Sequence, residues 1–298
     1  QTVERLDAAG MAGSPAETRL LVLTEAEQRF VFSGVTQPPV PSLLRGFTAP
    51  VSLQYDYSDD ALLTLLAQDS DAFNRWEAGQ RLALRIALGA INNPAVVVQA
   101  DGEIAQNLLP QPFVEAMRSV LRHPTLDAAY KELVLSLPSE SYLSEQLEEV
   151  DPQRVHAVRE TLRQQLAAAL REDWAWAWEN HQDTGAYKPD PISSGRRALT
   201  GVALAMLCLD ARRTGDAVWP GRAYQAFKDA ANMTDRMAAL SALVHSGHPL
   251  AADALARFHA LFKTEALVLD KWFALQASAT DRGGQILPAV KQLMKHPD

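Results

Sequence analysis

The spacing of apolar residues changes once, at Ser58, Asp59 and Asp60, and does not change back. Before that point apolar and polar residues alternate, the repeat of a half-buried strand; after it apolar residues recur every three or four positions, the repeat of an amphipathic helix. A chain patterned this way confines its sheet to the amino end and packs helix on helix everywhere else. The expected fold class is mainly α: a small antiparallel β region, part of an Ig-like sandwich, followed by an irregular superhelix of paired antiparallel helices. The expected domains are residues 1–57 and 58–298.

In the first domain Thr18–Thr24 (TRLLVLT) and Gln28–Phe32 (QRFVF) read as adjacent strands, with Glu25 and Ala26 in a short hairpin connection. Pro50–Tyr57 (PVSLQYDY) reads as a last strand. The intervening Gln37–Ser42 cannot supply a ladder, because Pro38, Pro39 and Pro41 have no N–H to donate. So few strands do not stand alone. The numbering also opens on Gln1 rather than methionine, so the chain is expected to be a piece of a longer protein, with the rest of the sandwich upstream and an exposed apolar edge where it would pair.

Helices are expected over Asp60–Gln68, from Asp69 to about Ala90 with Asp69 or Ser70 as cap, over Gln111–His123, and from Thr125 as cap through Leu137. Another begins at Ser139 and ends near Val150. Asp151 and Pro152 open the longest segment, which runs to about Asn180 with Leu162, Leu166, Leu170, Trp174 and Trp178 on one stripe. Trp176 faces the other way and requires a second packing partner or exposure. After the polar loop His181–Pro189, Asp190 and Pro191 start a helix in which Gly201 permits close approach of a neighbour. Ala217–Ala230 follows. Asn232 caps the next helix and Gly247 ends it, Pro249 opens another, and Thr264 caps a third whose Val268, Leu269, Trp272, Phe273 and Leu275 wrap so far round that it should be sandwiched. Gln285 to about His296 is the last. No fixed-period signature joins these helices, and the final one lacks a polar sealing sequence, so the array reads as irregular and unfinished.

The formal net charge of −8, with no basic patch, argues against a nucleic-acid partner. The longest uncharged apolar run, Gly201–Leu209, is far shorter than the ~20 residues of a bilayer crossing, so no membrane partner is expected. The lone Cys208 lies in that run and reads as a small buried hydrophobe, in keeping with a reducing compartment.

Chemistry-bearing patterns are sparse. H-E-x-x-H, which sets two imidazoles and a carboxylate on one helical face for zinc, does not occur. His245 and His248 straddle Gly247 and read as helix-terminus histidines; His156 and Glu160 read as an i,i+4 contact on the solvent side. The pairs Asp69 with Asp71, Glu148 with Glu149, and Glu172 with Asp173 read as caps and solvated faces. There is no G-x-S-x-G, no P-loop and no G-x-G-x-x-G after a strand. No catalytic residue, metal ligand or cofactor is therefore assigned to this chain.

Several stretches resemble the bacterial aminopeptidase N family of zinc metallopeptidases. They are LVLTEAEQRFVF (Leu21 to Phe32), PVPSLLRGFTAPVSL (Pro39 to Leu53), DAFNRWEAGQRLA (Asp71 to Ala83), VDPQRVHAVRETLRQQLA (Val150 to Ala167), NMTDRMAALSALV (Asn232 to Val244) and LVLDKWFALQAS (Leu267 to Ser278). They fall in family order along nearly the whole chain and match the carboxyl-terminal half of the enzyme. There a small β-sandwich precedes a helical domain that curls over the catalytic domain and encloses the substrate chamber. The resemblance implies a non-catalytic fragment of a cytoplasmic aminopeptidase, whose partners are the missing catalytic domain and peptide substrates, and whose zinc belongs to the parent enzyme. The zinc motif and the G-x-M-E-N loop that holds the substrate amine are absent from this chain, and its last helices end before the basic residues expected to line the chamber. Asn232, Asp235, Lys271 and Trp272 are the matching positions singled out as chamber-lining. Each also has a plain structural account, as cap, helix-end carboxylate, solvated ammonium and core indole. The alternative reading is a free-standing irregular α-solenoid that binds a protein or peptide on its concave face.

Overall fold

The computed structural model describes residues 2–7, 18–281 and 284–297. It divides into two compact units, residues 1–43 and 44–298. The fold is mainly α, as the change of period predicts.

Among its described residues the first unit holds two strands, β1 (Thr2–Asp7) and β2 (Gln28–Ser33). They pair in parallel, in register from Thr2 with Gln28 to Asp7 with Ser33. This corrects the expected antiparallel hairpin. Residues 18–24 are irregular, and the true partner of Gln28–Ser33 lies upstream, separated by more than the dozen or so residues a parallel crossover requires. Apolar side chains next to and on β2 face outward, among them Leu20, Leu23 and Phe32.

The second unit begins with a 3-10 turn, Arg45–Phe47. Pro50–Tyr57 is not a strand, and a side chain explains why. The Arg85 guanidinium donates to the Tyr57 carbonyl at 2.8 Å and reaches Asp56 and Asp59, so the segment is fastened to a helix instead of a ladder.

Thirteen helices follow among the described residues: α1 (Asp59–Gln68), α2 (Ala72–Asn92), α3 (Gln111–Arg122), α4 (Ala128–Leu135), α5 (Glu140–Ser144), α6 (Pro152–Ala169), α7 (Arg171–Asn180), α8 (Pro191–Thr214), α9 (Val218–Asp229), α10 (Met233–Ser246), α11 (Leu250–Phe262), α12 (Ala266–Ala277) and α13 (Ile286–Leu293). Most begin on a side-chain cap: Ser58, Asp71, Asp127, Ser139, Asp151, Asp190 and Asn232 each accept from a backbone N–H of the first turn. Three caps differ from expectation. Asp69 is taken by Arg45 at 2.7 Å, which leaves Asp71 to cap α2. The Thr125 N–H turns back to His123 Nδ1, so Asp127 caps α4. Thr264 does not cap α12, which starts from Glu265 with no side-chain cap.

The single long helix expected from Asp151 to Asn180 is two, broken at Leu170 (φ −112°, ψ 22°). Arg118 of α3 accounts for the break, donating to the Ala169 carbonyl at 3.1 Å and to the Asp173 carboxylate at 2.9 Å. The stripe itself holds, with Leu162, Leu166, Leu170 and Trp174 buried. Trp176 packs on its second side as well, its ring centroid 4.3 Å from the Arg122 guanidinium.

The central helix is α8, which packs against α4, α6, α7, α9 and α10. By length and composition it is the one described helix apolar enough to cross a membrane, yet half of its apolar window is buried by these neighbours. Two glycines set its approach. A Cβ on Gly201 would lie 3.2 Å from the Ala238 Cβ of α10, as the sequence suggests, and a Cβ on Gly195 would lie 2.7 Å from the Ala129 backbone nitrogen of α4.

Between α2 and α3 the chain is held by α6. Arg154 donates to the carbonyls of Ala90, Ile91, Asn93 and Val96, and Gln165 bonds the N–H groups of Leu108 and Leu109 and the carbonyl of Gln106. At the far end α12 buries only Leu269, Trp272 and Leu275. Leu267 is exposed, and Val268 and Phe273 are half-buried, so this helix is covered on one side rather than sandwiched.

Candidate functional site

The four residues singled out by sequence lie on or beside α10 and α12, two helices in contact. At the amino end of α10, Asn232 accepts from the Asp235 N–H at 2.9 Å through Oδ1 and donates to the Asp235 carboxylate at 2.6 Å through Nδ2. The exchange satisfies an orphan donor and fixes both side chains. The next residues, Met233 and Thr234, then point into a groove of about 520 Å³ between α10 and α12. Met237, Ala274 and Leu275 complete an apolar floor, and Lys271 and Ser278 supply polar edges.

Lys271 thus reaches the groove, and Asn232 with Asp235 stands at its end. Trp272 does not line it. One position further round α12, its indole is buried, donates from Nε1 to the Leu255 carbonyl at 3.0 Å, and meets the rings of His259, Phe273 and His296 at 5.0, 4.9 and 5.3 Å. It fixes how α12 sits on α11. Arg236 fastens the opposite side by donating to the carbonyls of Phe227 and Ala230. The groove is therefore held by its neighbours and offers one ammonium above an apolar floor. Such a surface can seat an apolar side chain and an acceptor; it holds no nucleophile beside a base.

The remaining candidates take structural roles. His248 Nδ1 accepts from the Leu250 N–H at 3.2 Å. His156 pairs with Glu140 of α5 at 2.8 Å rather than with Glu160, which is buried and faces Arg159 and Arg163. Asp173, read from sequence as a solvated helix-start acid, is buried and accepts from Arg118 and Arg122. Burial pushes the Cys208 thiol up to about 12, which keeps it neutral and inert. Among the described residues no three His, Cys, Asp or Glu side chains could hold a metal ion. With H-E-x-x-H also missing from the sequence, the described residues do not fit a zinc site. What the sequence did not reveal is a pair of buried cations, Arg75 and Lys131. Their residue types read as solvated, and only the tertiary packing buries them.

Residues 59–298 match the family described as domain of unknown function DUF3458_C, ARM repeats, and residues 2–56 match that described as domain of unknown function DUF3458, Ig-like fold. Aminopeptidase N of Caulobacter vibrioides is 34% identical over 282 residues, which is 95% of this chain and 31% of that protein. Aminopeptidase N of Escherichia coli is 33% identical over 285 residues, again 95% of this chain and 31% of the relative. A crystal structure of Legionella pneumophila aminopeptidase A in complex with aspartic acid superposes with a TM-score of 0.70 at 26% identity, over 89% of this chain and 30% of that one. The chain thus spans about a third of the length of the relatives it matches.

Proposed function

Because the chain belongs to the DUF3458_C family of ARM repeats and is homologous to the carboxyl-terminal ~30% of bacterial aminopeptidase N, we propose that it is the non-catalytic, chamber-walling part of a zinc-dependent aminopeptidase. In this reading residues 1–57 finish the sandwich, residues 58–298 form the wall, and the parent enzyme is cytoplasmic. The zinc, the general base and the groups that hold the substrate amine belong to the rest of the parent. This chain admits, orients and encloses peptides. The observation that carries the proposal is coverage: nearly all of this chain aligns, yet it accounts for 31% of the relative.

The groove between α10 and α12 is the surface proposed to face peptide. Its apolar floor takes a side chain, and Lys271 meets a carbonyl or carboxylate, while Asn232 and Asp235 keep the rim in place and Trp272 keeps α12 in register. The purified 298-residue chain should hydrolyse no aminoacyl anilide and carry no stoichiometric zinc. Chelator-sensitive turnover that co-purifies with it would overturn the proposal. In the intact parent, Lys271→Ala should raise KM for peptides of several residues and leave single-residue anilides unchanged; equal effects on both would remove Lys271 from the chamber wall.

A further inference from the structure

Two described residues other than glycine hold a positive φ, Leu44 (54°) and Phe47 (55°), and both lie in the turn that opens the second unit. Gly46, between them, is at 62°. A bulky side chain is rarely left-handed, and such a residue persists only where its surroundings over-determine it. The surroundings here are the entrance to α2. Arg45 donates to Asp69 at 2.7 Å and to the Ser70 hydroxyl at 2.7 Å, and the Gly46 N–H donates to Asp71 Oδ2 at 3.0 Å. The Phe47 N–H returns to the Leu44 carbonyl at 3.2 Å. Asp71 serves twice, since its other oxygen caps α2.

What this clasp achieves is a display. Phe47 is 70% exposed, and its ring lies 4.6 Å from that of Phe73, itself 40% exposed in the first turn of α2. Trp76, half-buried, continues the row at 5.6 Å from Phe73. Single exposed apolar residues are ordinary on a protein surface. Two phenyl rings stacked in the open, one of them held there by a left-handed backbone, mark a surface that something covers. Burial does not account for the strain, because the ring it carries stays largely in water. Glycine would suit the turn better at position 47, so phenylalanine is explained by what its ring meets.

We propose that Phe47 and Phe73, backed by Trp76, form a docking patch for the upstream part of the parent enzyme, which meets them with an uncharged apolar surface. The inference rests on the reading of this chain as part of a longer aminopeptidase. Length selects the occupant first: the chain is homologous to the carboxyl-terminal ~30% of aminopeptidase N, so the larger part of such a protein lies upstream. Position agrees. Phe47 falls in the Ig-like family match and Phe73 and Trp76 in the ARM-repeat match, so a body resting on the row fixes the junction of the two. Chemistry sets what the partner presents. No charged side chain belongs to the row, and the neighbouring carboxylates are engaged, Asp69 by Arg45 and Asp71 by the Gly46 and Asn74 N–H groups. A cationic partner would find no free counter-charge there, whereas an apolar one gains two ring faces.

The test is hydroxyl-radical labelling, read by mass spectrometry, of the 298-residue chain and of the intact parent, at one radical dose fixed by an added reporter peptide. Phe47 and Phe73 should be labelled roughly fivefold less in the parent, because the centre of an interface excludes water. Equal labelling in both would overturn the proposal, and so would low labelling already in the isolated chain. Protection that grows with the concentration of the isolated chain would assign the patch to a second copy and overturn it too. Phe47→Gly, at ease in the left-handed position, should not lower the Tm of the isolated chain but should raise the labelling of Phe73 in the parent severalfold. A lowered Tm would show that the phenyl ring serves the turn itself, and an unchanged Phe73 that it shields nothing; either result counts against docking. The two readings fail separately. Zinc-dependent turnover by the isolated chain removes the parent, whereas equal labelling of an inert, zinc-free chain removes only the patch.

Discussion

Gly195 offers a sharp test of how α8 meets α4. A methyl group there would lie 2.7 Å from the Ala129 nitrogen, 2.8 Å from its Cβ and 3.1 Å from its Cα, and two of these atoms are backbone, which cannot rotate away. Gly195→Ala must therefore push the helices apart or bend one of them. Overpacking of this kind costs about 1–3 kcal/mol. Alanine returns up to about 1 kcal/mol through its higher helix propensity, so a net loss of roughly 1–2 kcal/mol is expected. In a unit of this size that is a Tm lower by about 2–8 °C. Gly89 is the control, because it is exposed in α2 and nothing lies within 4 Å of its would-be Cβ. Gly89→Ala should stabilise by roughly 0.5–1 kcal/mol through propensity alone. Urea unfolding of both variants, with unchanged m-values, measures the two effects on one scale. If Gly195→Ala proved as stabilising as Gly89→Ala, the close approach of α8 to α4 would be wrong.

Two further outcomes follow from titration. Burial lowers His181 in the folded state from its ordinary 6.5, so the unfolded chain takes up the proton first as pH falls. Its contribution is full above about 6.5 and is lost between that value and the depressed folded one; unfolding free energy measured from pH 7.5 to 5 should fall less steeply in His181→Gln than in the unaltered chain, and identical slopes would refute the burial argument. The Cys208 thiol, raised from 9.0 to about 12, should react with a disulfide reagent roughly a thousandfold more slowly in the folded chain than in urea, and comparable rates would show that the site is open.

Much of the helical unit is legible from sequence because its signals are local. Asn232 caps as expected, helices begin at Ser139, Asp151 and Asp190 where the sequence places them, and Gly247 ends α10 at positive φ. The errors arise where a distant side chain intervenes. Arg45 takes Asp69 and shifts the start of α2, Arg118 takes the Ala169 carbonyl and breaks the long helix, and Arg85 takes the Tyr57 carbonyl and removes a strand. The parallel partner of β2 was hidden for the same reason, since strand pairing is a long-range event that alternation alone cannot assign. Of the four positions singled out, Lys271 lies on the groove and Asn232 and Asp235 stand at the start of α10, and the sequence could not say that Trp272 turns toward α11. Lys131 was invisible, since a lysine on a helix reads as solvated until the packing of α3, α7 and α8 is known.

The bonds from Arg154 and Gln165 have a kinetic meaning. The carbonyls that close α2 and the N–H groups that precede α3 find their partners on α6, some sixty residues further along the chain. Until α6 docks, the end of α2 frays into water, and the segment between α2 and α3 has only its own short-range bonds, such as that from Gln106 to the Ala95 carbonyl. The junction between α2 and α3 therefore settles only when α6 docks, although α1 packs on both α2 and α3 without it. In hydrogen-exchange terms the amides of Leu108 and Leu109 should open with α6 as one foldon, rather than with the helices beside them in sequence.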